Sequence, residues 1–340
     1  MSKKIYTISG LVMVLAIGLV LYRIFAVSDS VKTEQLTVVA PTPDERKSSL
    51  SGELVSAEIA ARPLVALMVE NHVDARPQTG LSFAEIVWEA VAEGGITRYV
   101  ALFQKDVATV GPVRSARDYF AQVANGYGGI YAHVGGSPEV LTQLAQGRYS
   151  RLVDVNEFYQ GDLFDRISSR TAPHNAYARV GDIRARYAVQ AVTAPSAYSF
   201  TANPTQVGIP ATRIRVDFSV PSYEVMFEYD RMRDAYARVV AGEKDVDRAT
   251  ASQLAPRTVI VELVRVTPIA GDDKGRVDVA VLGSGIAYIF QNGLVTKGTW
   301  MRKAGQPAEY ADAAGTPVMF APGQLWIAAV PDDGSRIEWE

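Results

Sequence analysis

Residues 64–78 read LVALMVENHVDARPQ, and this stretch decides how the first half of the chain is interpreted. Its first six residues, Leu64 to Val69, are all apolar, which is typical of a β-strand that is buried on both faces. The apolar run ends in three polar residues, Glu70, Asn71 and His72. Because ligands of α/β sheets bind beyond the carboxyl ends of strands, this strand end is a candidate wall of a binding site.

Strand and helix patterns alternate downstream of this stretch. Residues 98–104 and 130–134 are two further strand patterns. Capping residues and closing glycines predict helices that begin near Ser82, Ser115 and Ser137. Strands separated by helices predict an α/β fold class, in the sense of a mixed α+β chain. In the first half we expect a layered sandwich, with helices packed on a sheet.

The second half of the chain, from about residue 214, carries a different pattern. Runs of β-branched and aromatic residues follow one another, and Asn292-Gly293 is a strong β-hairpin signal. We therefore expect a mostly antiparallel β second half. The predicted domains cover 63–205 and 206–340, and the sequence leaves open whether the two halves share one sheet.

The N-terminus carries an apolar segment. Ile5 to Tyr22 contains no charged residue and follows Lys3 and Lys4, which predicts a transmembrane helix that serves as a signal anchor over 1–27. A cleaved signal peptide is the alternative. Residues 28–62 are predicted to be a flexible linker. The predicted localisation is the cell membrane, with a single N-terminal span and an extracytoplasmic body.

Composition excludes several classes of protein. The chain has 340 residues, of which 48% are hydrophobic and 21% charged, so it is neither disordered nor fibrous. It has no cysteine, which excludes disulfides, thiolate metal sites and lipid attachment through cysteine in this chain. With a net charge of −3, no nucleic-acid partner is expected.

Two arginines lie in the segment that leads into the residue 130–134 strand. If Ser115 is a helix N-cap, Arg114 and Arg117 lie at the positive end of the helix dipole, where cations are unfavourable. An anionic ligand would explain them, and so would internal pairing with Glu89 and Glu93. The sequence does not separate these two explanations.

We expect the polar residues at the strand ends and in the loop around residues 170–175 to form one electropositive binding site. Taken singly, the residues at the strand ends fit a cap or a turn better than a ligand contact. Parallel neighbouring strands would nevertheless bring them to the same edge of the sheet. The predicted ligand-binding residues are Asn71, His72, Arg76, Arg98, Arg114, Arg117, Ser137, Arg170 and Asn175.

The three histidines of the chain, His72, His133 and His174, are far apart in the sequence. Metal sites on helices place two histidines a few residues apart, and no such pair occurs here. We therefore expect no metal site and no cofactor.

An enzymatic alternative rests on carboxylates and histidines. Glu89 and Glu93 are four residues apart, so they share a face in a helix and also in a strand. Two carboxyl groups are sufficient for the acid and base of glycoside cleavage. The candidate catalytic residues are therefore Glu89, Glu93, His133 and His174 of a cell-envelope hydrolase or transferase.

Five motifs in order resemble the YerB-like bacterial envelope lipoproteins: residues 68–78, 93–98, 111–117, 133–138 and 173–175. Segments of the second half, such as 227–230 and 322–327, agree with this resemblance. It implies two associated family domains, an α/β sandwich and an extracytoplasmic location, but no reaction. The chain departs from the family in lacking a cysteine and in carrying Gly242-Glu-Lys-Asp245 in place of a Gly-x-Pro-His run.

These observations favour a binding protein over an enzyme. The predicted function is that of a membrane-anchored, extracytoplasmic envelope protein. It would bind an anionic cell-wall polymer or a protein partner through a site lined by arginine, histidine and glutamate.

Overall fold

A central mixed β-sheet organises the protein, in a computed structural model that describes residues 44–192, 198–204, 208–334 and 336–340. The apolar runs of both halves form its strands, because runs without polar alternation are stable where both faces are covered. Numbered in chain order with all other strands, its members are β3 (Val65–Glu70), β4 (Ile86–Val91), β5 (Thr97–Phe103), β7 (Gly129–His133), β8 (Leu152–Asn156), β12 (Ile209–Pro210), β17 (Thr258–Val264), β20 (Gly283–Gln291), β21 (Leu294–Arg302), β22 (Glu309–Asp312) and β24 (Leu325–Pro331).

The strand order in this sheet is β12-β21-β20-β17-β24-β4-β5-β3-β7-β8, and β22 pairs with β21. Strands of both halves of the chain therefore share one sheet. The junction is β24, which runs parallel to β17 on one side and to β4 on the other.

A second sheet of five strands is antiparallel throughout. Its strands are β13 (Arg213–Asp217), β14 (Glu224–Asp230), β15 (Ala235–Val240), β16 (Glu243–Lys244) and β25 (Ile337–Trp339). Smaller pairings involve β1 (Glu45–Lys47), β2 (Leu54–Ser56), β6 (Thr109–Val110), β9 (Phe164–Arg166), β10 (Ala176–Arg179), β11 (Ser199–Phe200), β18 (Val266–Pro268), β19 (Val277–Val279) and β23 (Met319–Phe320).

The α-helices of the described residues are short. They are α1 (Ala57–Ala61), α2 (Asp118–Tyr127), α3 (Pro138–Ala145) and α4 (Val180–Tyr187). The apolar residues of α2 and α3 pack in a core on one face of the central sheet. The five-stranded sheet contributes to the core on the opposite face, together with α4.

The predicted fold class is wrong. The described part of the protein is mostly β, with 43% of its residues in strands and 16% in helices, so it is not an α/β sandwich layered from helices and a sheet. One cause is the segment after Ser82, where the predicted helix is only a 3₁₀ turn, Leu81–Phe83, that leads directly into β4. Ser82 and Glu85 have the spacing of a Ser-x-x-Glu capping box, but Glu85 instead accepts hydrogen bonds from the backbone N–H groups of Gln104 and Lys105.

The hairpin signal of the second half is confirmed. Asn292 and Gly293 both have positive φ, 56° and 73°, and join β20 to β21. Only residues that tolerate the left-handed region close such a two-residue turn, and this explains why Asn-Gly predicts it.

The predicted transmembrane helix, signal anchor and single N-terminal span are not supported. Residues 1–27 lie outside the described residues. No helix in the described part of the chain is long and apolar enough to cross a bilayer.

Candidate functional site

The carboxyl end of β3 places Glu70 in a buried position with two basic partners. Its carboxylate lies 3.1 Å from Nε of Arg114 and 2.9 Å from Nδ1 of His174. The contact with Arg114 is an ion pair rather than an aligned hydrogen bond. The side chain of Glu70 is only 3% exposed, so these partners stabilise a carboxylate that water barely reaches.

Strand pairing brings Arg114 to this strand end. β3 and β7 are parallel neighbours, so their carboxyl ends lie at the same edge of the sheet. The backbone N–H of Arg114 donates to the carbonyl of Met68, and the carbonyl of Arg114 accepts from the N–H of Val134. The segment around Arg114 is thereby fixed between the two strands.

Two histidines that are far apart in the sequence stack beside Glu70. The rings of His72 and His174 have centroids 4.8 Å apart and an interplanar angle of 19°. His72 caps a 3₁₀ turn, Val73–Ala75, by accepting from the N–H of Asp74. His174 belongs to the loop that precedes β10, so this loop covers the end of β3.

An open cavity of about 560 Å³ adjoins the stacked histidines. Arg76, Arg170 and Arg248 line it from three separate segments, and Asp74 is its one acidic lining residue among those described. The other lining residues are small or neutral: Ser169, Thr171, Ala172 and His174.

Neutral groups hold these arginines in place. Arg76 donates to the Asn71 side chain and to the carbonyl of Ser222, and it lies 5.0 Å from the centre of the Tyr223 ring. Arg170 donates to the carbonyls of Asp74 and Pro77, at 2.9 and 2.7 Å.

Arg248 contacts the hydroxyls of Tyr177 and Ser169. Among the described residues no carboxylate lies within ion-pair distance of Arg76, Arg170 or Arg248. The three guanidinium charges at the cavity are therefore not neutralised by the protein.

Arg98 and Arg117 have the opposite surroundings, because both pair with Glu93. Nη2 of Arg98 lies 2.5 Å from this carboxylate, and Arg117 binds its other oxygen. Burial lowers the pKa of Arg98 to about 10, and burial also lowers the pKa of Arg117. Internal pairing, one of the two explanations that the sequence left open, accounts for Arg117.

Glu89 is enclosed in the core and paired with Arg238. Both side chains have no exposed surface, and they are 2.9 Å apart. Thr97 and Trp326 also donate to Glu89. Burial acts to lower the pKa of Arg238, but the acidic groups of Tyr99, Glu89 and Asp245 outweigh it and raise that pKa.

The remaining predicted site residues lie apart from the cavity. His133 is fully buried between the carbonyl of Gly135 and the carboxylate of Asp154. Ser137 caps α3 by accepting from the N–H of Val140. Asn175 accepts from Arg166 on an exposed surface.

Sequence reasoning missed Arg248 and the role of Glu70. Arg248 reaches the cavity because its N–H donates to the carbonyl of Gln78, a contact across 170 residues that no local spacing reveals. The neighbouring Asp247 accepts from the N–H groups of Gly80 and Ser82 and fixes the same junction. For Glu70 a signal was present, since it begins the polar triplet that ends an apolar strand.

The fold and the site define a mostly β protein with an open, arginine-lined surface cavity. Family models for a protein of unknown function match most of it, the DUF3048 N-terminal domain over residues 50–193 and the DUF3048 C-terminal domain over 214–327. The chain belongs to this family. The resemblance drawn from its motifs is thereby confirmed.

One curated relative is "Putative lipoprotein YerB" of Bacillus subtilis (strain 168). It is 33% identical over 310 residues, which cover 89% of this chain and 91% of the relative. The crystal structure of the YerB protein from Bacillus subtilis is similar, with a TM-score of 0.76, and the match covers 86% of this chain and 99% of that one. A relative that is named a lipoprotein conflicts with the predicted transmembrane helix, which we withdraw.

Proposed function

We propose that this protein is a membrane-associated, extracytoplasmic envelope protein that binds phosphate or carboxylate groups of an anionic envelope polymer. The binding site is the cavity lined by Arg76, Arg170 and Arg248. The name of the Bacillus subtilis relative supports the location.

One observation carries the proposed binding role. Three arginines from separate segments meet at one open cavity, and their hydrogen bonds go to neutral groups alone. Arginines elsewhere in the described chain, such as Arg98, Arg238 and Arg302, pair with carboxylates. Planar guanidinium groups bind phosphate and carboxylate oxygens in a bidentate manner, so they suit an anionic ligand.

No observation favours the hydrolase or transferase alternative. Glu89 has no exposed surface, and its oxygens are occupied by Arg238, Thr97 and Trp326. Glu93 is held by Arg98 and Arg117. An acid and base for glycoside cleavage must flank a substrate in an accessible cleft, which a fully enclosed carboxylate does not do.

The test measures binding of a glycerol-phosphate polymer to the full-length chain by calorimetry, with uncharged dextran as the neutral polymer. Arg170→Gln should weaken binding at least about tenfold, because a charge-assisted hydrogen bond contributes roughly 1.5–3 kcal/mol. Arg213→Gln is the matched control, since this arginine is 53% exposed on the five-stranded sheet. Equal affinity of wild type and Arg170→Gln, or equal binding of dextran, contradicts the proposal.

A further inference from the structure

A cluster of potential metal ligands lies at the wall of the arginine-lined cavity. His72, Asp74 and His174 each offer one ligand atom, and these atoms lie within 4.8 Å of one another. Imidazole nitrogen and carboxylate oxygen are the donor set of Zn²⁺ and of related divalent metals. We propose that these three side chains bind a divalent first-row transition metal ion such as Zn²⁺.

Glu70 positions His174 as a metal ligand. Its carboxylate oxygen lies 2.9 Å from Nδ1 of His174, and its side chain is only 3% exposed. Histidines that bind metals usually donate their second ring N–H to a carboxylate, which fixes the ring and raises the basicity of the ligating nitrogen. The contact with Glu70 therefore leaves Nε2 of His174 for the ion.

His72 and Asp74 lie close to the distance that two ligands of one ion require. Nδ1 of His72 is 3.5 Å from a carboxylate oxygen of Asp74. With metal–ligand bonds of about 2.0–2.1 Å, two ligands of a tetrahedral site are roughly 3.3 Å apart. The N–H of Asp74 also approaches Nδ1, at 3.2 Å, so an ion bound there displaces a weak hydrogen bond.

The stacked rings supply the third side of the site. The ring centroids of His72 and His174 are 4.8 Å apart and the rings are nearly parallel. Because an ion lies in the plane of each imidazole that binds it, the two rings must turn out of this stack toward a common point when the ion binds. Such a site takes three ligands from the protein and keeps a position open toward the cavity, which is the arrangement of accessible zinc sites.

The charge of the cavity determines what occupies the open position. Arg76 and Arg170 line the cavity beside Asp74, and their positive charges weaken the binding of a divalent cation until an anion is bound as well. We therefore expect the ion and a phosphate group to bind cooperatively. This coupling rests on the proposed function, whereas binding of the ion alone does not.

The composition of the chain makes the site directly testable. It has three histidines and no cysteine, and His133 is buried on other partners. Full-length protein with a purification tag that contains no histidine should bind one Zn²⁺ per chain by calorimetry. Bound Co²⁺ should show the visible absorption bands of a four- or five-coordinate ion.

The double variant His72→Asn/His174→Asn should lose this binding, and Asp74→Asn should weaken it at least about tenfold. Asp182→Asn is the matched control, because this carboxylate is 59% exposed in α4, outside the cluster. Asp74 is 70% exposed, so its variant should melt at the wild-type temperature. Zn²⁺ binding that is absent from the wild type, or unchanged in Asp74→Asn and in the double variant, overturns the proposed site.

A second titration separates the two proposals. Glycerol 3-phosphate should increase the apparent affinity for Zn²⁺ severalfold in the wild type and not in Arg170→Gln. If glycerol 3-phosphate does not change the Zn²⁺ affinity of the wild type, while the double histidine variant no longer binds Zn²⁺, the result supports the metal site and counts against the anion site. If the wild type binds phosphate but does not bind Zn²⁺, the metal site is wrong and the anion site stands.

Discussion

Two oppositely charged residues, Glu89 and Arg238, pair with each other in the core of this protein. Glu89 and Arg238 have no exposed surface, and Arg238 lies 4.4 Å from the centre of the Trp326 ring. Asp245 is the second acidic partner of this guanidinium. Removal of Arg238 would leave two buried carboxylates without their cation, whereas removal of Glu89 leaves Arg238 paired with Asp245 alone.

We predict that Glu89→Gln lowers the free energy of unfolding by about 1.5–3 kcal/mol, because Arg238 and Trp326 lose a charged hydrogen-bond acceptor while Arg238 stays paired with Asp245. The substitution keeps the size of the side chain and removes the charge that faces Arg238. Urea unfolding measures the effect. Glu228→Gln is the matched control, because Glu228 pairs with Arg213 at the surface and is 49% exposed, so its loss should cost less than about 1 kcal/mol.

This measurement also separates structural from catalytic use of Glu89. A structural carboxylate gives a destabilised variant. If Glu89→Gln unfolds at the same urea concentration as the wild type, the charge of Glu89 is not needed for the fold and its burial requires another explanation.

At the level of secondary structure, the sequence predicted strands better than helices. The strand runs at 64–69, 98–104 and 130–134 appear as β3, β5 and β7 within a residue or two, because continuous apolar runs reflect burial on both faces. The helix near Ser137 is also correct, with Ser137 as N-cap. Ser115 is not an N-cap, since α2 begins at Asp118 after Arg117.

The sequence predicted the candidate site only in part, because most of its contacts join residues that are far apart in the chain. The polar end of β3 meets the loop that carries His174 because Val113 lies between them, bridging to Val69 of β3 and donating to the carbonyl of Ala176. The distribution of ion pairs depends on which strands are neighbours across the whole chain. Glu89 meets Arg238 across 149 residues, and no spacing rule predicts that contact.

Alanine substitutions at two glycines would test how closely individual elements are packed. Gly298 lies in β21, where a Cβ atom would collide with the carbonyl oxygen of Ala311 in β22. Gly181 lies in α4 with nothing near its Cβ position. We predict that Gly298→Ala lowers stability by about 1–3 kcal/mol, because the backbone of β22 must move.

Gly181→Ala is the matched control for this prediction. The same added methyl group should leave stability unchanged or raise it by up to about 1 kcal/mol, since alanine favours helix. Thermal melts of both variants measure the contrast. Equal melting temperatures for the two variants would show that the β21–β22 pairing tolerates the extra atom.

The whole molecule carries many buried tyrosines, and these make stability sensitive to alkaline pH. Burial raises the pKa of Tyr119 and of Tyr127 to about 12, above the ordinary value of 10. Above pH 10 the unfolded chain loses phenol protons that the folded chain keeps. Stability from these groups is therefore complete below pH 10 and is lost as the pH rises toward 12.

Buried Arg98 and Arg184 act in the opposite direction, because burial lowers the pKa of each to about 10. The tyrosines outnumber them, so we predict that the urea midpoint falls as the pH rises from 10 to 12. Absorbance at 295 nm should show that most tyrosines of the folded chain ionise later than those of the chain in urea. Identical titration curves in the two states would contradict the prediction. The tyrosines whose pKa burial raises are Tyr99, Tyr119, Tyr127, Tyr131, Tyr149, Tyr198, Tyr223, Tyr229, Tyr236 and Tyr310.

The shared central sheet has a consequence for the folding of the whole molecule. β24 belongs to the C-terminal half of the chain, but it pairs along five residues with β4 of the N-terminal half. The pairing runs from Leu325 opposite Ile86 to Ala329 opposite Ala90. Gln324 adds hydrogen bonds to the carbonyls of Leu81 and Ala84. Without β24, strand β4 would expose an unpaired edge in the middle of the core.

We therefore predict that the two family-model regions unfold in one cooperative transition. Calorimetry should give equal calorimetric and van't Hoff enthalpies, and fragments 44–204 and 205–340 should each fail to fold alone. Phe227→Ala, in the five-stranded sheet, removes a fully buried ring and should cost about 3–5 kcal/mol. In a cooperative molecule it lowers the single transition as a whole. If part of the heat absorption stays at the wild-type temperature, the halves are independent and the shared sheet does not couple them.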